Sequence, residues 1–234
     1  MPKYTDPRPE HQQIAATLRA EIMDGTLSGK LPVTSELTGR FGVVNSTITK
    51  ALATLRDEGL VHTERGRLGG VFAADWTAYV TEAEPYIQPS GDVSYDGLVV
   101  AEVAAPGDVA RILGAKRAVV RHRLMLLRGE PIEVSDSYVT VDLAAQLGLD
   151  RPKKIPGGMK EVLAAAGLPQ RRFADVVSAR QPTPPELEAL RLPVGVPVLR
   201  ILRTIMTDDD RVVGVDVICK GAHVFQERYT KDVR

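Results

Sequence analysis

The sequence predicts an α+β protein in two parts: a winged helix-turn-helix at the N-terminus, then a larger body built on a largely antiparallel sheet. Three observations predict it. Two short amphipathic helical patterns flank a tight turn at Phe41-Gly42-Val43. A third helix ended by Gly59 and a probable hairpin follow, which completes the order of three helices and a wing. Beyond about residue 98, strand-like runs and short helices mix without strict βαβ alternation.

The elements can be justified in order. His11 to Asp24 reads as a first helix, because Ile14, Leu18 and Ile22 form one apolar stripe and Gly25 ends it. A short second helix, about 34–41, has Thr34 as its N-cap and Leu37 and Phe41 on its inner face. The third, about 45–58, buries Ile48, Ala51, Leu52 and Leu55. Leu60 to Thr63 and Gly70 to Ala73 are two short strands, and residues 64–69 form the wing tip between them. From 75 to 97 the pattern weakens around Pro85, Pro89 and Gly91, and this stretch reads as a linker between a DNA-binding part, 1–74, and a second domain, 98–234. In that second domain Ala118–Leu127 and Ile132–Thr140 make a hairpin over Arg128-Gly129-Glu130-Pro131. A helix at Gly158–Ala166, a strand at Arg172–Arg180 and a short helix at Pro184–Arg191, capped by Thr183, come next. Val196–Thr207 and Arg211–Lys220 form a second hairpin around Asp208-Asp209-Asp210.

Composition bounds the function. Of 234 residues, 44% are hydrophobic and 26% charged, as in ordinary soluble globular proteins. No apolar run approaches the roughly 18 residues of a membrane span, and the polar start MPKYTDPRPEHQQ has no signal core. The one cysteine, Cys219, is expected to be a buried apolar residue in a cytoplasmic protein. His11, His62, His122 and His223 lack ligand spacing, so no metal site is expected, and no cofactor fingerprint occurs. Formal net charge is zero, and residues 1–75 hold nine Lys/Arg against nine Asp/Glu. Between Arg40 and Gly70, however, five bases face three acids, which places a small surplus on the elements meant for phosphate.

A helix in the major groove shows the bases the face opposite its core stripe. Here that face offers Asn45, Ser46, Thr47, Thr49 and Lys50, with Ser35 on the preceding helix. Asn bonds adenine bidentately and hydroxyls serve several base edges. Arg40 and Lys50 suit phosphate, while Arg65, Gly66 and Arg67 at the wing tip suit the minor groove or the backbone. In the second domain Arg121 and Arg123 lie two apart on a strand and so share a face, fit to hold a carboxylate or phosphate. Ser135, Ser137 and Tyr138 occupy the strand expected to pair with it. Gly157-Gly158 before a helix offers N–H groups to an anion. Alternatively, the two arginines project outward and meet acids such as Glu133.

The N-terminal fragments resemble the GntR family of bacterial transcription regulators: QIAATLRAEIMDGTL, LP at 31–32, EL at 36–37, RFGV at 40–43, STITKAL at 46–52 and LRDEGLV at 55–61. Residues from about Val99 to Tyr229 resemble the UTRA effector-binding domain of the HutC branch, whose fold is similar to chorismate lyase. The carrying motifs are RHRLMLLRGEPIEVSDSYV at 121–139, AAG at 165–167, and ADVVSARQPTPPELEALRLPVGVPVLRILRT at 174–204. The resemblance implies a homodimer that binds a near-palindromic operator and answers to a small metabolite. It also implies an acidic residue near the last hairpin in the effector site, for which Asp216 is the candidate. The family often has Arg near Ser35, Asn45 and Thr49, so a different operator is expected. It often has Glu where Ser135 falls. The expected function is thus a repressor under an anionic effector, the alternative being a constitutive repressor whose second domain only dimerises. An enzyme is not expected, since no general acid with a supporting partner stands beside the arginines.

Overall fold

Apolar side chains at every third or fourth position decide how the first seventy residues pack. In the computed structural model, which describes residues 6–66, 69–74, 80–82, 93–193, 195–222 and 225–228, they form three helices: α1 (Glu10–Met23), α2 (Thr34–Phe41) and α3 (Asn45–Asp57). Ile14, Leu18 and Ile22 of α1, Leu37 of α2, and Ile48, Ala51, Leu52 and Leu55 of α3 join in one core with Leu31, Leu60 and Val61. Gly42 turns the chain from α2 toward α3 at φ 67°, a left-handed conformation that costs other residues a Cβ clash. Thr34, expected as the cap of α2, is instead its first helical residue. Val33 holds the cap position, and its N–H donates to the Glu36 carboxylate at 3.1 Å. Arg19 of α1 grips Glu58, just past α3, with two hydrogen bonds of 2.8 and 2.5 Å.

Strands β1 (Val61–Glu64) and β2 (Gly70–Ala73) pair antiparallel as the wing, with Val61 opposite Ala73. Lys30 bridges to Phe72 and the Leu31 N–H donates to the Val71 carbonyl at 2.8 Å, so the segment before α2 lies along the wing as well. Strand β3 (Val80–Glu82) pairs in parallel with β10 (Gln226–Arg228), and both belong to this first compact unit. The sequence places residues 80–82 in the linker and 226–228 in the second domain. Three-residue strands carry too little alternation to be seen in sequence.

The second unit is a six-stranded sheet. Along the chain run β4 (Val93–Ala104), α4 (Gly107–Leu113), β5 (Arg117–Leu127), β6 (Glu130–Thr140), α5 (Val141–Leu147), α6 (Gly158–Ala165), β7 (Arg172–Arg180), α7 (Pro184–Ala189), β8 (Val198–Met206) and β9 (Val212–Gly221). The spatial order is β4-β5-β6-β9-β8-β7, every neighbour antiparallel. Strand β4 starts at Val93, inside the expected linker. It is an edge strand, exposed along most of its length, so it lacks the apolar alternation of the inner strands. Arg128 and Gly129, both at positive φ, make the tight β5–β6 turn.

Strand pairing sorts the side chains onto two faces. On one, Val109 of α4 packs with Ala118, Val120, Tyr138, Leu202 and Val215, and Leu190 and Leu192, at the end of α7 and just beyond it, pack with Val134 and Val198. On the other, α5 and α6 cover only one end, through clusters that include Val119, Val139, Ala144, Leu163 and Ile205. The rest of that second face mixes charged and hydroxyl side chains with the buried apolar Met125, Ile201 and Ile218.

Candidate functional site

Helix α3, expected to read bases, presents Asn45, Ser46, Thr49 and Lys50 to solvent, with Thr47 half-buried beside the buried Ile48. Thr49 turns its hydroxyl back to the Asn45 carbonyl at 3.0 Å, so that hydroxyl is engaged within the helix. Val44, the cap residue, is 68% exposed, an apolar side chain standing beside the polar reader. Ser35 is exposed on α2. Arg65 is exposed at the wing tip, where Gly66 has φ 117°; Arg67 lies outside the described residues. Arg40 is not simply available to phosphate. Its guanidinium forms a two-point ion pair with Glu21 of α1 and lies 4.9 Å over the Phe41 ring.

In the second unit, strand register lines up Arg121, Ser137, Asp216, Arg203 and Asp175 as successive cross-strand neighbours on β5, β6, β9, β8 and β7. Directly opposed residues point to the same side of a sheet. The parallel row one step along begins with Arg123 and Ser135, and the next includes Glu133 opposite Lys220. Of the nine buried polar or charged side chains among the described residues, seven fall on this face: Arg121, Glu133, Ser135, Ser137, Arg203, Asp216 and Lys220. Buried polar groups on this scale need partners, and most have them. Arg203 makes a bidentate pair with Asp175 at 2.8 and 2.7 Å, and Lys220 lies 3.6 Å from Glu133. Glu133 therefore meets neither arginine as its first partner. Sequence reasoning missed Arg203, Asp175 and Lys220. Strand parity was the signal available for them: on their shared face Arg203 and Asp175 are lone charges among apolar residues, and Lys220 follows Asp216 by four.

The two expected arginines have different tasks. Arg121 donates through Nη1 to the carbonyls of Leu149 (2.7 Å) and Arg151 (3.0 Å), and through Nη2 to that of Lys153 (2.8 Å). It pins the segment between α5 and α6. The Arg123 Cζ lies 5.0 Å over the Tyr95 ring centroid, and its buried Nε has no partner among the described residues. Ser137 bonds to Asp216, whose buried Oδ1 likewise has no partner among the described residues. Burial drives the Asp216 carboxyl above its ordinary range, against the Ser137 bond and the charges of Arg123 and Arg203. Burial also raises Glu133, against Lys220 and Arg123.

Two expected members stand apart. Tyr138 faces the opposite side of the sheet, in the cluster under α4, because it follows Ser137 by one residue and successive strand residues alternate. Burial, then the nearby carboxylates of Asp136 and Asp108, push its hydroxyl up to about 12. Gly157 and Gly158 do form the start of α6, both at positive φ. The Glu161 side chain folds over Gly157, however, its Cγ lying where a Cβ would stand, and the Gly158 N–H is already spent on the Ile155 carbonyl at 3.0 Å. Cys219 is buried, and burial lifts its thiol to about 12, which removes it as a nucleophile.

The two parts of the chain match known domain families. The profile of the UTRA domain fits residues 91–223, more than half of the chain, and that of bacterial regulatory proteins, gntR family, fits residues 10–71. The chain belongs to the gntR family. As a member it is a helix-turn-helix regulator of transcription that binds DNA and carries an effector-binding UTRA domain, and it is not an enzyme. It is similar to the uncharacterized HTH-type transcriptional regulator RB1450 of Rhizobium meliloti (strain 1021), 28% identical over 80% of this chain and 81% of that one. It is also similar to the HTH-type transcriptional repressor NagR of Bacillus subtilis (strain 168), 24% identical over 85% of this chain and 84% of the other. A crystal structure of a GntR-family transcriptional regulator shares the fold with a TM-score of 0.60 at 23% identity, covering 97% of this chain and 99% of that one. PhnF from Mycobacterium smegmatis does so with a TM-score of 0.56 at 16% identity, covering 94% of this chain and 100% of that chain. No described helix of the regulator is long and apolar enough to cross a membrane.

Proposed function

We propose that this gntR-family regulator is a homodimeric repressor that binds a near-palindromic operator and responds to a small anionic metabolite held on the polar sheet face. The observation that carries the reading is Arg123: stacked on Tyr95, with a buried N–H donor that nothing described accepts. A half-buried guanidinium with a buried N–H left over favours an anionic oxygen. Arg121 supports the pocket by fixing residues 149–153 and is reassigned from anion ligand to positioning residue. Ser135 and Ser137 line the floor, and the start of α6 contributes little to anion binding because Glu161 lies over it. The effector acts by differing in affinity between DNA-competent and DNA-incompetent states of the dimer.

The test is selection of genomic fragments by the full-length protein, with and without metabolite extract, followed by the same assay on Arg123→Met. The expected result is an enriched inverted-repeat site, released by extract from the wild type and retained by the variant. Absence of any enriched site, or equal release from both proteins, overturns the reading.

A further inference from the structure

The most exposed large apolar side chain among the described residues is Val44, 68% accessible at the N-cap of α3. For the helix itself a valine is poorly placed there. A cap residue helps by lending a side-chain oxygen to the free N–H groups of the first turn, and valine has none to lend. The α3 cap accordingly makes no side-chain hydrogen bond, and the first turn holds no acidic residue to complement the helix dipole. Helix α2 also starts on a valine, Val33, but there the Glu36 carboxylate reaches back to the Val33 N–H at 3.1 Å. The residue at the matching place in α3 is Thr47, which has no carboxylate to return. Val44 thus leaves the start of α3 weaker than Ser, Asn or Asp would, and buries little in exchange.

We infer that Val44 is a base reader: in the major groove its methyl groups meet the C5-methyl of a thymine, beside an adenine bonded by Asn45. The residues at the N-terminal end of a helix laid in that groove are the ones that reach base edges. Among the four bases only thymine carries a methyl group there, so it is the complement of an apolar side chain. Asn45, next in the chain and exposed, has the amide that bonds adenine N6 and N7 together. Two successive residues therefore both ask for A·T pairs. Thr49, one turn on, fits the same preference: its hydroxyl proton is engaged by the Asn45 carbonyl at 3.0 Å, so it has no donor for a guanine edge. A solitary exposed valine elsewhere on a protein needs no explanation. One that takes the place of a capping oxygen on the element that faces the bases does.

This inference rests on the proposed operator binding through α3, and the experiment separates the two. The full-length protein first selects its sites from a random-sequence duplex library. Each thymine of the selected half-site is then replaced in turn by deoxyuridine, which keeps the base pair and the O4 acceptor and lacks only the methyl, and affinity is read by fluorescence anisotropy. The expected result is one thymine per half-site whose methyl matters. Its loss weakens binding about fourfold in one half-site and about fifteenfold in both, which corresponds to ~0.8 kcal/mol for each buried methyl. Val44→Ala, an equally poor cap, binds the thymine and uracil duplexes alike. Val44→Ser loses the discrimination too, yet melts at a higher temperature than the wild type because α3 regains a capping oxygen, so the loss does not come from a weakened fold. A uracil effect at no position, or one that survives Val44→Ala, overturns the thymine reader; where Asn45→Ala still changes the selected sequence, α3 keeps its place in the groove. Selection of no sequence at all by the wild type overturns the operator reading and this inference with it.

Discussion

Arg121 and Arg123 are two residues apart on one strand, yet the structure gives them different consequences when removed. Arg121 satisfies three carbonyls with one guanidinium, so Arg121→Met is expected to lower stability by about 2–4 kcal/mol, since bonds to charged groups in buried surroundings are the costly ones to lose. Arg123→Met removes a charge with a buried unmade bond and should leave the urea midpoint close to that of the wild type. Equal destabilisation by the two would contradict this division. His122, between them, points to the other face, where its Nδ1 lies 2.6 Å from Asp136 Oδ1. The hydrogen bond to Asp136 holds the imidazolium above its ordinary value of 6.5, against partial burial. A base with a raised folded value contributes stability that is complete below the unfolded value and is lost as pH rises through the folded one. The wild type's thermal advantage over His122→Phe should therefore be largest below the ordinary histidine value of 6.5 and shrink as pH rises above it. An advantage that grows across that window would rule the pair out as its source.

At the level of elements, the turn between α2 and α3 concentrates the demand on sequence. Gly42 sits at φ 67° with open space around its Cβ position, so Gly42→Ala meets backbone strain alone. A loss of about 1 kcal/mol in chemical unfolding is expected, together with weaker operator binding wherever α3 shifts against α2. An unchanged midpoint would show that the turn relaxes freely. The same dependence on local signal explains which elements were legible. The core of α1, α2 and α3 follows from Ile14, Leu18, Leu37, Ile48 and Leu55 at helical spacing, and the inner strands β5, β6, β8 and β9 from apolar alternation. Helices α4 and α5 escaped notice because seven residues make barely two turns, too short for a stripe. Strand β4 escaped because an edge strand has little to bury. Within the site, parity placed Arg121, Arg123, Ser135 and Ser137 on one face, and the same rule should have excluded Tyr138. The pairing of β9 with both β6 and β8 puts Asp216 between Ser137 and Arg203, and such non-local register has no trace in a single sequence.

For the whole molecule, the puzzle is a net charge of zero in a protein that grips a polyanion. Internal pairing sharpens it, because Arg19 is spent on Glu58 and Arg40 on Glu21. The Arg40 pair is the one exposed to exchange, its arginine side chain being 43% accessible. Phosphate must then compete with Glu21 for Arg40, which weakens the sequence-independent part of binding and leaves more of the affinity to base contacts from α3. Glu21→Gln removes the competitor while leaving the helix intact. Each cation freed for phosphate steepens the slope of log K against log salt by about 0.9. For a dimer with two reading heads, the slope on a full operator should therefore steepen by about 1.8, and non-specific DNA should gain relatively more affinity than the operator. A slope change near 0.9 on the full operator would mean that one head engages at a time. An unchanged slope, with operator affinity also unchanged, would place Arg40 away from the phosphate backbone altogether.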